Sequence, residues 1–158
     1  MISIQYQPND DFELHQDLTL TITEIGLEQV ADSYYVHIDD FYEVATDNEN
    51  KTISVLIILL TFWLQKVKAS IINKSFYLPF DYADEWTGCI RIKRVDDENI
   101  EINYGHTSFE GWRTYPSKAD DFMISDSDYN PEKLSAIIPI KQFDIDINKS
   151  IALLEKQR

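Results

Sequence analysis

Apolar and polar residues alternate along the first part of the chain, which is typical of half-buried β-strands. The alternation covers residues 2–6 and 18–25, and Gly26 ends the second run. A third run extends from Tyr34 to Val44 and predicts a third strand, with Val36 and Ile38 on its apolar face. Four side chains share the opposite, polar face of that strand: Tyr35, His37, Asp39 and Glu43.

The spacing of apolar residues then changes to three and four, which predicts one long central helix over about 47–70. Thr46 and Glu49 have the spacing of a capping box at its start. Its most apolar run, Ile53 to Leu64, has 12 residues. A membrane crossing needs about 20 residues, so we expect a buried helix and no membrane span.

The rest of the chain predicts more strands and a second helix. Residues 75–80 form a strand, and 89–95 and 100–106 form a hairpin whose three-residue turn sets Lys93 opposite Glu101. Shorter strands are predicted at 111–115, 121–125 and 134–140, and a C-terminal helix at about 142–157. The prediction is one α+β domain, residues 1–158, with a mainly antiparallel β-sheet.

Charge is distributed unevenly along this sequence. The net charge is -14, and residues 1–50 contain 12 acidic residues and no Lys or Arg. Clustered Lys and Arg are what bind phosphates, so direct nucleic-acid binding is disfavoured. An uncompensated acidic segment attracts a cationic partner, which favours a basic protein as the binding partner.

No pattern of catalytic, cofactor-binding or metal-binding residues emerges. The four glycines have no phosphate-loop spacing, and the three histidines have no zinc-site spacing. Asp144, Asp146, Asn148 and Glu155 have calcium-loop spacing, but Lys149 replaces the required glycine and an amphipathic helix explains them better. Cys89 is interpreted as a half-buried thiol in a cytoplasmic protein. We therefore expect no enzyme activity, no cofactor and no metal.

Acidic and aromatic residues occur together in two places, which is a pattern of protein interfaces because aromatic anchors bind and acids steer a basic partner. One place is the polar face of the predicted third strand. The other is the loop after residue 80. The predicted partner-binding residues are Tyr35, His37, Asp39, Glu43, Asp81, Tyr82, Asp84, Glu85 and Trp86.

In size, acidity and layout the chain resembles the immunity proteins of bacterial polymorphic and contact-dependent toxin systems. The resemblance includes no residue motif, so it assigns no site residues. It implies a cytoplasmic protein that binds a cognate basic toxin domain, often a nuclease, and neutralises it at or beside its active site. Three alternatives stay open: a DNA mimic, an adaptor, and an enzyme with a pocket near His106.

Overall fold

The computed structural model describes residues 1–8, 16–42 and 48–158, without the side chains of 48–50. Its strands and helices follow in this order: β1 (Ile2–Tyr6), β2 (Gln16–Ile22), β3 (Leu27–Asp32), α1 (Tyr34–His37), α2 (Asn48–Lys68), β4 (Ser75–Tyr82), β5 (Thr87–Arg94), β6 (Asn99–Thr107), β7 (Tyr129–Pro131), β8 (Ala136–Pro139) and α3 (Ile140–Gln157). Antiparallel sheets combined with helices confirm the predicted α+β class.

The first sheet is antiparallel, in the order β1-β2-β3. Leu18, Leu20 and Ile22 are buried on one face, as the alternation predicts. Gly26 has a φ of 60°, a left-handed conformation that glycine adopts without strain, and it closes the turn from β2 to β3. The strand after this turn, β3, was not predicted.

The predicted strand from Tyr34 to Val44 is wrong in its described part. Residues 34–37 form the single-turn helix α1. Two carboxylates start and end this turn: Asp17 accepts hydrogen bonds from the backbone N–H and the hydroxyl of Ser33, and Asp39 accepts one from the N–H of Phe41. Short polar side chains that bond nearby backbone groups favour turns over strands.

The long central helix is confirmed as α2. Its described residues Val55, Leu59 and Trp63 are completely buried, and the Trp63 ring meets Phe80 edge-on at a centroid distance of 6.4 Å. The proposed capping residue Thr46 and the Glu49 side chain lie outside the described residues.

The second sheet has the order β4-β5-β6, and β7 and β8 both pair with β6. The predicted hairpin register is confirmed, because Lys93 pairs with Glu101 and Ile92 with Ile102. β7 and β8 lie along the same side of β6, at Gly105–Thr107 and Asn99–Ile102 respectively, so they form one interrupted edge strand.

The predicted strands at 111–115 and 121–125 are wrong. Residues 111–113 and 116–121 form 3-10 turns instead, and Pro116 begins the second of them. Proline has no N–H for a strand ladder and fits the first position of a helical turn. These turns bring Phe109, Phe122 and Ile124 to a small second core with Cys89.

The C-terminal helix is confirmed as α3, which packs against β1 and α2. Asp146 accepts a hydrogen bond of 2.8 Å from the N–H of Ile2, and Ser150 accepts one of 3.1 Å from Ile4. These two side chains, one helical turn apart, thus accept the hydrogen bonds of two backbone N–H groups on the free edge of β1. The residues with calcium-loop spacing therefore lie along one helix, with Asp146 bonded to the sheet.

One main core contains residues from both sheets, from α2 and from α3. Among the described residues, no helix has the length and apolar character that a membrane crossing needs.

Candidate partner-binding groove

A groove of about 910 Å³ opens between β3, α1 and the turn after β4. Its lining combines aromatic rings, aliphatic side chains and carboxylates. The lining residues are Gln16, Gln29, Val30, Ala31, Asp32, Tyr34, Tyr35, Ile38, Asp81, Tyr82, Ala83, Asp84, Trp86 and Trp112.

One wall of the groove is formed by β3 and α1. β3 pairs only with β2, so it is the edge strand of its sheet. The turn at Ser33 then reverses the chain, and α1 places Tyr34 and Tyr35 side by side with ring centroids 5.4 Å apart. Asp32 helps to fix this turn by accepting a 2.7 Å hydrogen bond from the N–H of Tyr34.

The opposite wall is the turn from β4 to β5. The N–H of Ala83 donates to the carbonyl of Trp86 at 3.0 Å, and the carbonyl of Ala83 accepts from the N–H of Gly111 at 2.7 Å. A Cβ on Gly111 would lie 2.5 Å from that carbonyl oxygen, so only glycine permits this approach. The contact brings Trp112, 61% exposed, to the lining of the groove, which also contains Trp86.

The two walls are linked by hydrogen bonds. The hydroxyl of Tyr35 donates to Asp84, and the amide nitrogen of Gln29 donates to Asp81 at 2.9 Å. Burial, and then the bond to Asp84, raises the pKa of Tyr35 to about 12. The Tyr35 hydroxyl therefore stays protonated and is the donor in its hydrogen bond to Asp84.

Asp81 reaches the groove because β4 is irregular at this point. The register shifts between Pro79 and Asp81, so Asp81 pairs with Gly88. A Cβ on Gly88 would lie 3.0 Å from the Cβ of Asp81 and 2.3 Å from the hydroxyl of Tyr104. Glycine at position 88 therefore leaves the space into which Asp81 and Tyr104 pack.

The groove is electrostatically negative. Its lining contains three carboxylates, from Asp32, Asp81 and Asp84, and no Lys or Arg. Asp81 is only 6% exposed, and burial raises its pKa to about 6, with smaller contributions from the negative charges of Asp32 and Glu132. A cation in the groove would therefore be attracted to the carboxylate of Asp81.

The structure brings five of the nine predicted partner-binding residues to this groove: Tyr35, Asp81, Tyr82, Asp84 and Trp86. They come from two chain segments that the sequence pattern did not predict to be neighbours in space. β3 and α1 bring the two segments together, and neither element was predicted.

The other four predicted residues do not line the groove. Asp39 is completely buried, and it accepts bonds from the N–H groups of Phe41 and Ser117, so its function is structural. His37 is half-buried, with Nδ1 3.4 Å from the Thr52 hydroxyl. Glu85 is exposed at the tip of the turn, and Glu43 lies outside the described residues.

Nine lining residues were missed by the prediction, among them Gln29, Asp32, Tyr34 and Trp112. Tyr34 was predicted to begin a strand, and it begins the helical turn α1 instead. Gly111 gave a weak signal, because glycine is used where a backbone approaches another group closely. The contact with Ala83 lies 28 residues away in the sequence and has no local signature.

Two other candidate residues have ordinary structural surroundings. Cys89 is completely buried, and burial raises its pKa well above the usual range of a thiol, which is opposite to what a nucleophile needs. His106 is partly exposed, with Nδ1 2.5 Å from Glu132, and it is not part of the groove lining. Within the described residues, His, Cys, Asp and Glu side chains form no group that could hold a metal ion.

Comparison of the chain with protein-family models, curated proteins and solved structures gives no significant match.

Proposed function

We propose that this protein binds a basic protein partner in the groove and thereby neutralises a cognate toxin domain in the cytoplasm. The observation that carries the proposal is the composition of the groove: four exposed or half-buried aromatic side chains and three carboxylates, without a Lys or Arg. The four aromatic residues are Tyr34, Tyr35, Trp86 and Trp112.

Each part of this composition has a role in binding. Tyr and Trp are enriched among the residues that dominate interface energies, because they bury a large area with little loss of side-chain entropy. Trp86 and Trp112 stand at the rim, where a partner would cover them. The carboxylates would speed the encounter with a basic surface and orient it.

A basic toxin domain fits this surface in chemistry. A nuclease holds phosphates with clustered Lys and Arg, and the same cluster is complementary to a carboxylate-rich groove. Covering the cluster would stop substrate binding. Arg113, which follows the lining residue Trp112 in the sequence, pairs with Glu110 and lies over the Phe109 ring at 5.0 Å from its centroid.

The proposal is tested by co-expression with the product of the reading frame immediately upstream. If that product is a toxin, the wild-type chain should restore growth and Trp86→Ala/Asp84→Asn should not. The matched control is Leu153→Ala/Glu155→Gln, which removes one exposed apolar side chain and one exposed carboxylate from α3. Equal protection by both double variants, or an upstream product without toxicity, contradicts the proposal.

A further inference from the structure

Asp81 differs from the other buried aspartates among the described residues. Asp17, Asp39 and Asp146 each accept hydrogen bonds on both carboxylate oxygens, from backbone or side-chain donors. Asp81 accepts one bond, from Gln29 to Oδ2, and no described residue donates to Oδ1. Oδ1 can therefore accept a hydrogen bond from water or from a group that enters the groove.

Asp81, whose Oδ1 accepts no hydrogen bond from a described residue, lines the groove. Asp81, Ala31 and Tyr82 are the buried members of the lining, so they form its floor. Tyr34, Trp86 and Trp112 are exposed members and form its rim. A side chain that enters the groove therefore passes aromatic rings before it reaches the carboxylate.

We propose that the groove receives an arginine side chain of the partner, with its guanidinium bonded to Asp81 and its planar face against the aromatic rim. The assignment rests on the proposed function in one respect, namely that the partner is a basic protein. Asp32 and Asp84 lie in the same lining and add to the attraction without occupying the floor.

Arginine fits this site better than lysine for two reasons. The guanidinium is weakly hydrated and so loses less on entering a half-buried groove, and its planar fork of N–H donors matches a carboxylate. Its flat face also stacks on Trp and Tyr rings. A lysine ammonium is a strongly hydrated point charge and gains less from the aromatic rim.

The site is tested without a partner protein, using three capped tripeptides: Gly-Arg-Gly, Gly-Lys-Gly and Gly-citrulline-Gly. Citrulline keeps the planar shape of arginine and removes its charge. Binding is followed by the carboxyl ¹³C shift of Asp81 and by tryptophan fluorescence. We expect the arginine peptide to bind at least about 10-fold more tightly than the citrulline peptide, since each tenfold is about 1.4 kcal/mol.

The variant Asp81→Asn should lose this preference, while Asp97→Asn, in the exposed β5–β6 turn, should keep it. Equal binding of the citrulline or lysine peptide, or an unchanged preference in Asp81→Asn, overturns the inference. The growth assay separates this failure from failure of the proposed function. Protection that depends on Trp86 and Asp84 but not on Asp81 keeps the function and rejects the arginine site.

Discussion

Asp81 is a buried carboxylate that ionises near neutral pH. Burial is the main cause that raises its pKa to about 6, and the hydrogen bond from Gln29 opposes the shift. Above that pH Asp81 is ionised in the native protein, where burial makes its negative charge less favourable than in the unfolded chain. The free energy lost in this way is what a bound cation would restore.

The first prediction is that Asp81→Asn stabilises the protein at high pH. Because the native pKa is raised above the ordinary value of 3.8, the ionisation of Asp81 lowers stability as pH rises from about 4 through about 6. The free energy of unfolding of the variant relative to wild type should grow by about 2 kcal/mol between pH 4 and pH 8. Urea denaturation at both pH values measures it.

Asp84→Asn is the control, since Asp84 is an exposed carboxylate of the same groove. Asp84→Asn retains Asp81 and should therefore keep the wild-type loss of stability between pH 4 and pH 8. A pH-independent difference for Asp81→Asn would show that Asp81 ionises at an ordinary pKa.

At the scale of elements, the segment around α1 is held in part by Asp39, a carboxylate that the sequence pattern suggested for binding. Asp39 accepts bonds of 3.0 Å from the N–H of Phe41 and 2.7 Å from that of Ser117, 78 residues away. It thus connects the turn after α1 to the 3-10 turns that follow β6. Asp40 is exposed beside it.

The second prediction compares these two neighbours. Asp39→Ala should lower the free energy of unfolding by about 2–4 kcal/mol, because it leaves two backbone N–H groups without their acceptor. Asp40→Ala should change it by less than about 0.5 kcal/mol. Equal effects in chemical denaturation would mean that Asp39 is not a structural residue.

The elements that could be predicted are those fixed by local patterns. α2 and α3 follow from apolar residues at helical spacing, and the β5–β6 register follows from matching Ile92 with Ile102. The strand predicted at 34–44 failed because Val36 and Ile38 also suit a helical turn, and the bonds of Asp17 and Asp39 decided between the two.

The groove was harder to predict because its walls meet through distant contacts. The acidic and aromatic composition of residues 81–86 was sufficient to indicate binding. The sequence pattern placed Tyr35 and Asp39 together on one face, whereas the structure sends Tyr35 to the groove and Asp39 to the interior. Sequence spacing cannot separate these outcomes, since both depend on a turn set by Ser33 and its partner Asp17.

At the scale of the whole molecule, the described acidic residues of the first third do not form one uniform charged surface. Among its described acids, Asp17 and Asp39 are buried and Glu24 pairs with the amino group of Met1. The described residues of this region therefore offer a partner less negative charge than their composition suggests. The groove, with Asp32, Asp81 and Asp84, becomes the more specific source of attraction.

The third prediction concerns ionic strength. Three groove carboxylates with contributions of up to about 1 kcal/mol each should make the Kd for a basic partner rise about 10-fold between about 0.05 and 0.5 M salt. Calorimetric titration of the upstream gene product measures this dependence. Asp84→Asn should reduce the slope, and a Kd that does not change with salt would contradict an electrostatic role for the groove.

The most direct test of the binding groove is hydrogen–deuterium exchange with and without the upstream gene product. We expect slower amide exchange in residues 29–38 and 81–86, the two walls of the groove, and little change along the exposed side of α3. Slower exchange confined to α3 or to the β5–β6 turn, with both groove walls unchanged, would contradict this expectation.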